Sequence, residues 1–342
     1  MIATARRQGI LPQLYRKLFN DIYPDEKTEI LLLKNQVKEA YLSHVRSAMM
    51  LSAELLRISA EATEKNLEFL CIKGPLLAYI LYEDVTMRQY GDLDILVPPD
   101  TLPRWHALLL GCGYTPAVDF TPAQYAHLRR HTHETSYIHP QKGTAVELHW
   151  RLTGSDFPVP FDIRGFFKRS VTVPFRNGAL PAPETYDHLL YLCVHGAKHH
   201  WERIEWLYDV AVMLDRSPID ILQLLEKAEK IDARRIVEVT LILCEKFFLL
   251  PIPERVRKNR TAQRLGETIA KTLNRDFFSP RIRKKLDPAH LMMLERPGQR
   301  LKAAVSMFQP TPLDYRTARL PEALHFLYYF IRPWSIWKRY RG

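Results

Sequence analysis

Cysteine is scarce in this chain: Cys71, Cys112, Cys193 and Cys244 lie far apart in apolar stretches, with no Cys-x-x-Cys pair. That excludes a disulfide framework or a cysteine-rich zinc site and fits a reducing compartment. No run approaches the roughly 20 apolar residues needed to span a bilayer. Arg6, Arg7, Arg16 and Lys17 interrupt the N-terminal stretch where a secretory apolar region would lie. The expected location is the cytoplasm. Internal repeats are absent as well. Acidic residues are in deficit, 38 Asp and Glu against 49 Lys and Arg, and the resulting formal charge of +11 favours an anionic partner: a nucleotide, RNA or acidic lipid. With 46% hydrophobic residues over 342 positions the chain can bury a substantial core, so disorder is excluded.

From Thr28 to Lys65 neither Pro nor Gly occurs, and Val37, Tyr41, Val45, Ala48 and Leu51 recur at helical spacing. This predicts one long helix or two nearly continuous ones. The period then changes. Leu67 to Ile72 reads as a short buried strand, Lys73-Gly74-Pro75 ends it, and a helix over Leu76 to Tyr82 follows. Asp92 to Val97 is a second strand, stopped by Pro98-Pro99. A helix over Leu102 to Leu110, a His-rich connection and a third strand over Thr144 to Leu152 complete an α/β pattern. Beyond a proline-rich stretch, helices are expected near 184–215, 218–230, 232–249, 261–274 and 321–331.

Side chains alternate along a strand, so Asp92 and Asp94 project together while Leu93, Ile95 and Val97 face a core. Paired carboxylates on a half-buried strand repel each other unless a cation lies between them. Mg²⁺ or Mn²⁺ meets that need, since such an ion takes oxygen ligands while also holding substrate phosphates. Glu147 on another strand is a candidate third ligand, or a base toward an acceptor hydroxyl. His149 shares its face. The same repulsion implies that Asp94→Asn would stabilise the metal-free protein. Gly74 at a helix start exposes N–H groups suited to phosphate, with an ordinary strand-to-helix turn as the alternative. Arg88 is a candidate phosphate contact; otherwise it neutralises the aspartates through a salt bridge.

These residues carry a resemblance. Ile72-Lys73-Gly74-Pro75-Leu76-Leu77-Ala78, Leu81-Tyr82, Arg88, Asp92-Leu93-Asp94-Ile95-Leu96-Val97, Gly113-Tyr114 and Val146-Glu147-Leu148-His149-Trp150 resemble the uncharacterised nucleotidyltransferase family of the DNA polymerase β-like superfamily. His195, Lys198, His199 and Arg203-Ile204-Glu205-Trp206-Leu207-Tyr208-Asp209-Val210 match its helical part, and Gln8-Gly9-Ile10-Leu11-Pro12 its beginning, so roughly residues 5–250 are covered. The resemblance implies an α+β fold with a small mixed β-sheet nucleotidyltransferase core. It also implies metal-assisted transfer of a nucleoside monophosphate from an NTP, here read as AMP from ATP. The expected organisation is an N-terminal helical segment (1–66), the core (67–183) and a C-terminal helical domain with a basic aromatic tail (184–342). Asp92, Asp94 and Glu147 become catalytic metal ligands; Lys73, Gly74, Arg88 and His149 become nucleotide contacts. His195, Lys198, His199 and Asp209 are candidate substrate contacts. Two departures stand out: Gly74-Pro75 replaces the superfamily's Gly-Ser or Gly-Gly, removing a serine hydroxyl from the phosphate site, and Glu147 replaces the commoner Asp.

His195 and His199 also have the i, i+4 spacing of a metal pair, without an evident completing ligand. His127, His131, His133 and His139 read as a solvated connection in preference to a loop over the site. The basic stretches Arg255 to Arg264 and Arg281 to Lys285, with the aromatic-cationic tail Ile331 to Arg341, suit nucleic acid or a peripheral position on an anionic membrane, against the plainer reading of a solvated face. A catalytically inactive nucleotide- or RNA-binding module is the alternative function. A helical interaction protein, with the sheet as mere support, is a third.

Overall fold

The computed structural model describes residues 1–20, 28–118, 120–276, 288–311, 314–315, 320–332 and 334. Helices α1 (Ile2–Gln8) and α2 (Leu11–Asn20) precede α3 (Thr28–Glu64), a single helix over the stretch that lacks breakers. It ends where Asn66 turns left-handed, at φ 51°.

The core of the fold is a mixed sheet of five strands in the order β1 (Leu70–Cys71), β2 (Asp92–Leu96), β5 (Ala145–His149), β4 (Glu134–Ile138), β3 (Thr115–Pro116). β2 and β5 run parallel, and the other neighbours are antiparallel. Between strands lie α4 (Gly74–Tyr82), α5 (Leu102–Gly111) and α6 (Pro122–His131). Hence the His-rich connection is not a solvated loop: it ends α6 and enters β4, and His133 through Ile138 pair with β5. The proline-rich stretch holds α7 (Ile163–Lys168) and a hairpin, β6 (Val171–Phe175) with β7 (Gly178–Ala182). Pro174 and Pro181 fit because this hairpin is a separate two-stranded ribbon, where strand edges are free of further pairing.

Helices α8 (Thr185–Lys198), α9 (Ile204–Arg216), α10 (Ile221–Lys230), α11 (Arg234–Phe248), α12 (Glu254–Arg257), α13 (Arg260–Asp276), α14 (Pro288–Met293) and α15 (Pro297–Ser306) follow. The helix expected over 184–215 is broken between α8 and α9, where His200 and Trp201 both adopt positive φ, 55° and 45°. No Gly or Pro announces that break. The buried Trp201 ring instead stacks into the space above Gly196, whose missing side chain leaves room for it. The 281–285 basic stretch and most of the tail lie outside the described residues. Arg257 of the other basic stretch is bonded to Glu245.

Strand alternation divides the sheet's surroundings. Leu93, Ile95, Val97, Val146 and Leu148 join Leu51, Leu55, Ile58 and Trp105 of α3 and α5 in one apolar core. Fully burying each such side chain contributes about 1.5–3 kcal/mol. Leu96, on the opposite face, joins Leu189, Val194 and Ala197 of α8 in a second core. The face carrying Asp92, Asp94, Glu147 and His149 is therefore the one that α8 covers. All four cysteines are buried and unpaired. No described helix is long and apolar enough to cross a membrane.

Candidate active site

Parallel pairing of β2 with β5 sets Asp94 directly beside Glu147, and Asp92 lies one pleat earlier on the same face. On the next strand Glu134 pairs with His149 and Ser136 with Glu147. Ligand atoms of Asp94, Glu147 and His149 all lie within 4.8 Å of one another, as do those of His133, Glu134 and His149. Asp92 is in neither trio, so the three expected carboxylates do not converge equally. It adds charge from the side instead: burial and the neighbouring Asp94 raise its proton affinity.

Asp94 is more heavily partnered than a metal-only role requires. Lys73 Nζ lies 2.6 Å from its Oδ1, and His149 Nε2 lies 3.2 Å from the same oxygen. Burial pushes the Asp94 carboxyl up, but Lys73 and His149 outweigh it and hold the group below its ordinary range. Glu147 is compensated only weakly, by His149 at 3.7 Å. Burial, Glu134, Asp94 and Asp92 push it up to about 7. The repulsion among the carboxylates is thus expressed at Asp92 and Glu147, and Asp94 belongs to a buried ion pair.

Gly74 begins α4 with φ +62°, and a Cβ there would meet the Asp92 carbonyl oxygen at 3.2 Å. Both the left-handed backbone and the close approach to β2 require glycine. Pro75 occupies the first turn, where a missing N–H costs nothing. The start of α4 therefore lies against the Asp92 end of β2.

Arg88 has a direct partner that neither expectation named. It is 4% exposed, and its Nη2 lies 2.9 Å from Asp209 Oδ2, while its charge still acts on Asp92 at longer range. Asp209 is itself fully buried, so in this structure the pair's charges are directed to each other. Glu205 extends the network by accepting from the Gln89 N–H at 2.9 Å and binding Arg203 at 2.7 Å. Gln8 and Leu11 are tied in as well, through Ile204 and Gln89.

Of the α8 residues, Lys198 reaches the site, its Nζ 2.9 Å from His133 Nε2, and burial lowers its pKa. His195 and His199 pack with Trp206, at ring-centroid distances of 5.1 and 5.3 Å. Burial keeps both neutral, His199 down at about 3 and His195 well below its ordinary value. Neither belongs to a group of three convergent metal-ligating side chains among the described residues.

Sequence reasoning missed Glu134 and the part played by His133. The alternation of Glu134 and Ser136 with Thr135 and Tyr137 was the available signal, masked by the neighbouring histidines. A cavity of about 530 Å³ shares both residues, and Phe120, Tyr125, Trp150, Met307 and Thr311 also line it.

Residues 1–249 match the model of a family described as uncharacterised nucleotidyltransferase. Among curated proteins none matches. A solved structure, an antigenic nucleotidyltransferase-like protein from Paracoccidioides brasiliensis, is 14% identical, with 58% of this chain and 88% of that one covered at a TM-score of 0.35, too distant to support argument. The family match spans well over half the chain, including β2, β5 and the start of α4. The chain therefore belongs to the uncharacterised nucleotidyltransferase family.

Proposed function

We propose that this protein transfers a nucleoside monophosphate, AMP from ATP, to a hydroxyl of a small-molecule or protein acceptor. The observation that carries the reading is the in-register pairing of Asp94 with Glu147 on parallel strands, beside Asp92 and the glycine-initiated α4. The donor set fits Mg²⁺ or Mn²⁺: hard carboxylate oxygens converge, and the high proton affinity of Glu147 marks weakly compensated negative charge. Asp94 and Glu147 would hold the ion, with Asp92 contributing from the side. When bound, such an ion offsets charge developing on the transferred phosphoryl group. Lys73 supplies a fixed positive charge at the same place, and the N–H groups opening α4 suit phosphate oxygens. Where Glu147 stays off the ion, its carboxylate oxygen is instead suited to take the acceptor's hydroxyl proton.

The Lys73–Asp94 contact favours a second reading, a nucleotide-binding module without turnover, because an ammonium already satisfies the carboxylate that a metal would need. Incubation with Mg²⁺ and each α-labelled NTP, using metabolite and lysate pools as acceptors, separates the two. Labelled product that is absent with the Asp92→Ala/Asp94→Ala protein supports transfer. Mg²⁺-dependent thermal stabilisation by ATP without product supports the binding module, and neither effect removes both.

A further inference from the structure

Beside the carboxylate pair lies a second convergence that the nucleotidyl-transfer reading does not use. His149 is 2% exposed. Its Nε2 faces Asp94 Oδ1 at 3.2 Å, and a carboxylate held ionised by Lys73 can only accept, so that nitrogen carries the ring proton. The other nitrogen, Nδ1, points away from Asp94 toward the neighbouring strand. It is buried, it makes no hydrogen bond, and it lies 3.3 Å from Glu134 Oε2, which is also an acceptor. His133 Nε2 lies 3.0 Å from the same Glu134 oxygen and accepts from the Lys198 ammonium at 2.9 Å. Three donor atoms thus converge, all within 4.8 Å of one another, with His149 buried and His133 and Glu134 half-buried.

We propose that His133, Glu134 and His149 form a site for a borderline divalent transition-metal ion, of the class of Zn²⁺ or Co²⁺. The donors are two imidazole nitrogens and one carboxylate oxygen, a set that favours such ions over Mg²⁺, which prefers oxygen. The 3.0 and 3.3 Å spacings are close to the roughly 3.3 Å ligand-to-ligand edge of a tetrahedron with bonds of about 2.0–2.1 Å. Asp94 completes the arrangement from behind. It accepts from His149 Nε2 and so fixes the tautomer that presents Nδ1, the carboxylate–histidine–metal relay common in metalloproteins. Three protein ligands leave a fourth position, and since His133 and Glu134 also line the 530 Å³ cavity, that position is open to water or a small ligand. In the metal-free protein Lys198 donates to His133 Nε2, and binding of an ion displaces its ammonium from that nitrogen.

This inference does not depend on nucleotidyl transfer, and its test needs no activity. The full-length protein, stripped with a chelator, is titrated with Co²⁺ by visible absorption and with Zn²⁺ by calorimetry, in about 5 mM Mg²⁺ to saturate oxygen-only sites. One ion per chain is expected. His133→Ala and Glu134→Gln should weaken binding by about 100-fold or more, while Lys198→Met, which removes the competing ammonium, should tighten it about tenfold or more. Thermal melting in chelator reports whether each variant folds; should His133→Ala fail, the isosteric Glu134→Gln carries the test. Absence of binding beyond Mg²⁺, full affinity in Glu134→Gln, or binding that tracks His199→Ala would each overturn the site. Unchanged affinity in Lys198→Met would overturn the displacement of its ammonium.

Discussion

Asp94 is where charge is decided residue by residue. Its contacts with Lys73 and His149 make it part of a buried pair, so the stabilisation expected from Asp94→Asn is reversed. Removing one charge strands Lys73 without its counter-ion, and we expect Asp94→Asn to lower metal-free stability by about 2–4 kcal/mol, measured by urea unfolding. Transfer should be lost in the same variant. An unchanged or raised midpoint would show that Lys73 has another partner. Glu147 behaves oppositely. Its folded pKa is raised from 4.5 to about 7, so the protein is favoured when Glu147 is protonated. That contribution is fully present below about pH 4.5 and is lost as pH rises through 7. Glu147→Gln should remove the loss and make the metal-free protein more stable than wild type by about 2–3 kcal/mol at pH 8, with the gap closing toward pH 5. Melting curves across that range check both the sign and the window.

Between elements, the Arg88–Asp209 pair does the joining. Arg88 comes from the segment after α4 and Asp209 from α9, so the pair fastens the helical half to the sheet, and Glu205 brings in the backbone of Gln89. Because both charges are buried, Arg88→Ala should cost about 3–5 kcal/mol, chiefly by leaving Asp209 uncompensated. Combining Arg88→Ala with Asp209→Ala should recover part of that loss. An additive double mutant would mean that the two residues act separately. The α8–α9 break belongs to the same scale. It lets Trp201 close over Gly196, a geometry that a continuous helix would forbid.

For the molecule as a whole, the formal charge of +11 predicts that association with ATP is electrostatically assisted. Stopped-flow binding should slow several-fold when ionic strength rises from about 0.05 to 0.5 M, as screening shortens the reach of that field. A rate independent of salt would indicate that the charge is distributed away from the nucleotide's approach. The family match ends at residue 249, whereas Met307 and Thr311 wall the cavity, so the cavity's shape depends on a part of the chain that the family does not describe.

The period-two alternation of Asp92 to Val97 and of Val146 to Trp150 was enough to set Asp92, Asp94, Glu147 and His149 on polar faces and their neighbours in a core. Likewise, the absence of Gly and Pro from Thr28 to Lys65 foretold α3, because these are local properties of the backbone. Which polar groups meet is another matter. Glu134 joins the site only because β4 lies beside β5 in one register, and Arg88 turns to Asp209 only because α9 lies over it. Strand order, register and helix docking bring together residues far apart in the chain, and side chains are then chosen as partners by burial and charge. Local periodicity carries no record of those meetings, so the tertiary structure alone decided them.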